Sequence, residues 1–234
     1  MAPKVLVVLT SHDTMPGHGP TGWYLPEFAH PWEVLHKKTE LTIASPKGGE
    51  SPLDPSSVAA TEADPVSVSF LKEQTDLWKK TEKLSEVAKR ADEFDAIFYV
   101  GGHGPMFDLV NDTTSIALIE TFANAKKPVA AVCHGPCVFL KAKASSGESI
   151  LSGAEATGFS NLEEDQMNLS QYMPFMLETE LQKLTGGKYV KAAEPWGAKV
   201  VVAKAAGSGA PLITGQNPAS ATGVGEAILK ALGL

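Results

Sequence analysis

Only two of the 234 residues are cysteine, so no disulfide framework can staple the fold. The expectation is a protein with reduced thiols in the cytoplasm, with the nucleus as a second compartment. Basic residues are outnumbered: 20 Lys and Arg stand against 27 Asp and Glu, for a net charge of −7. That balance speaks against nucleic acid or an anionic membrane as partner, since both demand basic surface. No apolar run approaches the ~20 residues of a membrane span. The first nine residues lack a cationic region and a cleavage site, so they do not read as a signal peptide. There is no internal repeat and no low-complexity tract. No Gly-Lys-Ser/Thr follows any glycine-rich turn, which excludes a Walker loop.

What is present is an ordinary globular composition, 43% hydrophobic and 20% charged. Lys4 to Leu9 is a continuous apolar run, as expected of a strand buried on both faces. Residues 10–22 read as a loop. Trp23 to Lys38 has near-helical spacing, complicated by Pro26 and Pro31. Further strands are expected at 41–44, 96–100, 128–132 and 154–158, with a hairpin pair at 200–203 and 212–214. Helices are expected at 115–125, from Pro136 to about Ala142, at 175–185 and at 219–232. Residues 50–91 break the rhythm and read as an insertion beside the sheet, too poor in apolar residues for a core of its own. One α/β domain over 1–234 follows, with a mostly parallel sheet and helices on both faces. Ligands of such sheets bind beyond the carboxyl ends of the strands. Three polar clusters lie there: the loop after Leu9, Gly101-Gly102-His103-Gly104, and Cys133-His134-Gly135-Pro136.

Cys133 ends a strand just before a helix, the elbow geometry that exposes a nucleophile. A helix N-terminus beneath it would favour thiolate and lower the thiol pKa. Cys137, four residues on, reads as buried and inert. A nucleophilic Cys needs a base. His134 is the last of six histidines, so no downstream histidine can serve, and the partner is His134 or one upstream. Gly101 and Gly102 allow backbone N–H groups to approach a ligand and, with the His134 amide, to form an oxyanion hole. His103 joins that binding set, with orienting a carboxylate or binding a metal as its alternatives. Glu27 is either an exposed helix carboxylate or a crevice group that shuttles protons. Glu163 and Glu164 suit a helix first turn, and one of them could hold His134.

Several segments together resemble the DJ-1/PfpI superfamily, also described as class I glutamine amidotransferase-like. They are Thr-Gly-x-x-x-x-Glu at 21–27, Gly-Gly-His-Gly-Pro-Met-Phe-Asp at 101–108, and Ala-Ala-Val-Cys-His-Gly-Pro at 130–136. Thr-Gly-Phe at 157–159 and Thr-Gly-Gln-Asn-Pro-Ala-Ser at 214–220 complete the set. The branch it is most similar to is the heat-shock-protein-thirty-one type, the glutathione-independent glyoxalases. That resemblance implies a flavodoxin-like sandwich, a homodimer, and a small dicarbonyl substrate, methylglyoxal or glyoxal. It implies Cys133 as nucleophile, His134 and Glu164 completing the set, Glu27 below the thiol, and Gly102 and His134 as oxyanion amides. No cofactor or metal is expected. Glu163 stands where well-known members have Gly, and Pro195-Trp196-Gly197 where yeast-type members have Pro-Trp-Asp, so the pocket wall is expected to differ. Alternative functions on the same scaffold are a holdase chaperone or redox sensor, and a peptidase, amidase or isonitrile hydratase.

Overall fold

Lys4–Val8 occupies the middle of a sheet, which explains a strand apolar on both faces. A computed structural model describes residues 2–234. In chain order the strands are β1 (Lys4–Val8), β2 (Thr14–Met15), β3 (Gly19–Pro20), β4 (Glu40–Ser45), β5 (Glu82–Lys83), β6 (Ala96–Tyr99), β7 (Val129–Val132), β8 (Val200–Lys204) and β9 (Pro211–Gly215). The helices are α1 (Leu25–Leu35), α2 (Pro55–Ala60), α3 (Pro65–Glu73), α4 (Thr75–Lys79), α5 (Leu84–Val87), α6 (Thr113–Asn124), α7 (Asn161–Gln166), α8 (Leu177–Leu184) and α9 (Ala221–Ala231). The main sheet runs β5-β4-β1-β6-β7-β9-β8. All its pairings are parallel except β8 with β9. With helices on both faces this is the flavodoxin-like architecture, whose strand order reverses between β1 and β6. Thr10, Gly101 and Cys133 follow β1, β6 and β7, so the three polar clusters sit at adjacent strand ends around that switch point.

Several expectations needed correction. The loop 10–22 carries a small hairpin of β2 and β3, each too short for any periodicity to register. The expected strand at 154–158 is a single bridge between Ala156 and Tyr189, because its other residues meet no pairing strand. The segment after Cys133 is one 3-10 helix, Gly135–Phe139, and not an α-helix reaching Ala142. Residues 50–91 add β5 to the sheet edge. Their large apolar residues Phe70, Trp78, Leu84 and Val87 belong to the common core that also holds Val5 and Ile228.

Helix α1 survives its prolines for separate reasons. Pro26 sits in the first turn, where an N–H would go unused. Pro31 lies inside the helix and removes only the bond to the Glu27 carbonyl four residues back. Gly225 of α9 lets the two helices close up, since a Cβ there would come within 3.1 Å of Pro31 Cα. Among the described residues, no helix is long and apolar enough to cross a membrane.

Candidate active site

Cys133 is not glycine, yet its φ is +61°. For a residue with a Cβ such backbone strain costs about 1–3 kcal/mol and survives only where the surroundings enforce it. Here they do. The Cys133 N–H donates to Gly215 O at 2.9 Å, and its carbonyl accepts from the Phe159 N–H at 2.8 Å. The elbow is thus clamped between β9 and the Thr157-Gly158-Phe159 turn, and its side chain points into the crevice. The thiol is 4% exposed.

His134 Nδ1 lies 3.4 Å from Cys133 Sγ, and His134 Nε2 lies 2.5 Å from Glu164 Oε2. Both neighbours are buried. Burial and the nearby His103 lower the His134 pKa, so the ring is held neutral. With Nε2 donating to Glu164, the lone pair of the neutral ring sits on Nδ1, facing sulfur. Glu164 occupies the first turn of α7. Burial alone would raise its pKa, but the polar pull of His134 beside it and hydrogen bonds from both histidines outweigh that and hold it well below the usual range. Its other oxygen, Oε1, lies 2.9 Å from His103 Nε2. His103 thus meets a carboxylate, the contact that its alternative reading calls for.

Glu163 is turned away from His134. Its carboxylate closes a capping box with Ser160 and accepts from Asn217 Nδ2 at 2.8 Å, Gln216 Nε2 at 3.0 Å and the Trp196 N–H at 2.9 Å. Burial pushes its pKa up, but these bonds more than offset it and the pKa falls. The Gln-Asn pair of Thr-Gly-Gln-Asn is thus a clasp for Glu163.

Glu27, in the first turn of α1, is wholly buried. Neither of its oxygens finds a well-aligned hydrogen-bond partner. Burial drives its pKa well above the usual carboxylate range, against partial relief from the Cys133 thiol and the Gly102 and Gly101 amides. Burial and the Glu27 charge likewise push the Cys133 thiol up. The expected lowering by a helix end is absent because burial outweighs it, an acidic group faces the sulfur, and a five-residue 3-10 helix offers only a short run of aligned peptide dipoles. Cys133 and Glu27 act as a coupled pair in which one proton is strongly held. Cys137 is fully buried, and its pKa is raised chiefly by burial.

Gly101 and Gly102 are needed for their missing side chains. A Cβ on Gly101 would lie 2.4 Å from Glu27 Oε2, and one on Gly102 would lie 2.4 Å from Gly22 O. Gly102 also has φ +89°. Its amide faces the Cys133 sulfur, and the His134 N–H makes no backbone hydrogen bond among the described residues. Both can serve an oxyanion.

The crevice at Cys133 measures about 50 Å³. Besides the residues anticipated from sequence, Tyr24, Phe159 and Met167 line it, and Trp196 joins them. Tyr24 and Met167 gave no signal in sequence, because an aromatic or Met near a helix end reads equally well as core. A neighbouring cavity of about 230 Å³ shares His103 and Met167 as wall. His103, His134 and Glu164 offer ligand atoms within 4.8 Å of one another, a donor set suited to a divalent transition ion. In this geometry the same atoms are engaged with each other.

A family model described as the DJ-1/PfpI family matches residues 22–231. The chain is 31% identical to the glutathione-independent glyoxalase HSP31 of Saccharomyces cerevisiae, over 94% of each chain. Among solved structures, glyoxalase III of Candida albicans superposes with a TM-score of 0.83 at 28% identity, covering 98% of this chain and 97% of that one. The Rapid Encystment Protein 24 KDa of Francisella tularensis gives a TM-score of 0.87 at 35% identity, with 98% and 99% covered.

Proposed function

Because the chain belongs to the DJ-1/PfpI family, we propose that its clamped Cys133 makes it a glutathione-independent glyoxalase, converting methylglyoxal and water to lactate. The observation that carries this is the strained Cys133, with His134–Glu164 on one side and a buried, pKa-raised Glu27 beneath. The crevice is narrow, which favours a small dicarbonyl over a bulky substrate.

Sulfur attacks the aldehyde carbon, and Glu27, poised by its raised pKa, takes the thiol proton. The new oxyanion of the hemithioacetal receives hydrogen bonds from the Gly102 and His134 amides. His134 Nδ1 removes the proton from that carbon while Glu27 passes the former thiol proton to the neighbouring ketone oxygen, giving an enediolate; His134 then returns its proton to the neighbouring carbon. The product is a lactoyl thioester on Cys133. Water, its proton taken by His134, hydrolyses the thioester to lactate and restores the thiol. Glu164 stays ionised and supports the transient imidazolium. No cofactor enters this sequence. A homodimer in the cytoplasm completes the proposal.

Lactate formation from methylglyoxal without glutathione is the deciding assay. Cys133→Ala is expected to abolish turnover, and retained turnover would sink the reading. Glu27→Gln is expected to lower kcat by about 10²–10⁴, the usual worth of a general base.

A further inference from the structure

His103 stands apart from the Cys133–His134–Glu164 line, yet it is tied into it. One carboxylate serves two imidazoles, each through Nε2: His134 on Oε2 and His103 on Oε1. All three side chains are at least nine-tenths buried. The two rings sit 4.2 Å apart between centroids and are tilted by 43°. His103 itself is held by a rigid turn. A Cβ on the next residue, Gly104, would lie 2.4 Å from the Thr10 side chain, so the loop after β6 is packed flat against the end of β1.

We propose that His103 is a positioning residue: by occupying Glu164 Oε1 it locks the carboxylate and, through it, fixes the His134 ring with Nδ1 facing Cys133. A carboxylate held by His134 alone could rotate, and its second oxygen would be left buried without a partner. With both oxygens engaged, neither rotation nor exchange of the His134 tautomer is free. With Nε2 donating its hydrogen to Glu164, the His134 ring keeps its lone pair on Nδ1. That atom is the one 3.4 Å from the sulfur. The role depends on an N–H donor at the position of Nε2, not on imidazole chemistry.

The test compares His103→Ala and His103→Gln, both checked for native circular dichroism. Its turnover arm rests on the glyoxalase reading. A second arm does not: the rate at which iodoacetamide alkylates Cys133, followed on the Cys133 peptide. In His103→Ala, kcat is expected to fall about 10- to 100-fold, as expected when a catalytic group is mispositioned by about an ångström. KM should stay within about twofold, since His134 and not the substrate is disturbed. Alkylation should slow as well: Glu27 takes the thiol proton, but the His134 Nδ1 that stands 3.4 Å from the sulfur helps to orient the S–H, and that contact is lost when the ring shifts. The Gln variant, whose side-chain amide can donate to the same oxygen, should recover most of both rates. Equal impairment of Gln and Ala variants would overturn the proposal in favour of imidazole chemistry. A raised KM with unchanged kcat would overturn it in favour of a substrate contact. Wild-type rates in His103→Ala would overturn it outright. Should methylglyoxal not be turned over at all, the alkylation rates alone decide.

Discussion

Glu27 carries an unusual burden for one side chain. It is buried without an aligned partner, and such a group is costly to ionise. Its folded pKa is raised above the unfolded value of about 4.3. The folded state therefore binds the proton more tightly than the unfolded one. Stability is highest below about pH 4.3 for this group and is lost as pH rises toward the folded pKa. Glu27→Gln removes that loss. Its melting temperature should exceed that of the wild type at pH 7–8, and the gap should shrink toward pH 4, even as activity falls. Equal melting curves at pH 8 would show that the buried carboxylate carries no penalty. Glu164 has the opposite sign: its pKa is held low by the histidines, so its contribution is present above about pH 4.3 and is lost as pH falls toward the folded pKa.

At the scale of elements, the site is made of strand ends and the short turns after them. Gly102 closes the turn after β6 in a left-handed conformation, with no room for a Cβ beside Gly22 O. Gly102→Ala combines strain and overpacking and is expected to cost about 2–4 kcal/mol in urea unfolding. It should also displace the amide that faces Cys133. Stability within about 0.5 kcal/mol of wild type would show that the turn can relax. These turns were partly legible in sequence. Gly-Gly-His-Gly after an apolar run announces a sharp turn, and Cys-His-Gly-Pro announces another. The two-residue strands β2, β3 and β5 were not legible, because two residues carry no period. The bridge at Ala156 was misread as a strand, since apolar character there serves burial and not pairing.

For the whole molecule, one apolar core joins residues from β1 to α9 and includes the large side chains of residues 50–91. A single cooperative unfolding transition is therefore expected, with coincident fluorescence and circular dichroism curves. Two separated transitions would mark residues 50–91 as an independent unit. The proposed homodimer should appear in light scattering as twice the 24.7 kDa chain mass. A mass of one chain across micromolar concentrations would remove it from the proposal.

The sequence alone determined the alternation of buried strands and helices, because two-sided burial writes itself as runs such as Lys4–Leu9. It also determined Cys133 at a strand end and the absence of any histidine after His134. It left open whether Glu27 faced water or the thiol, and whether Glu163 or Glu164 met His134. Those choices belong to tertiary structure. Glu27 is turned inward because Pro26 and Tyr24 start α1 directly above Gly101. Glu164 takes His134 because Gln216 and Asn217, more than fifty residues away, hold Glu163 on the other side of α7. Adjacent carboxylates on a helix diverge by about 100°, and only the partners that the fold brings to each side decide which one enters the site.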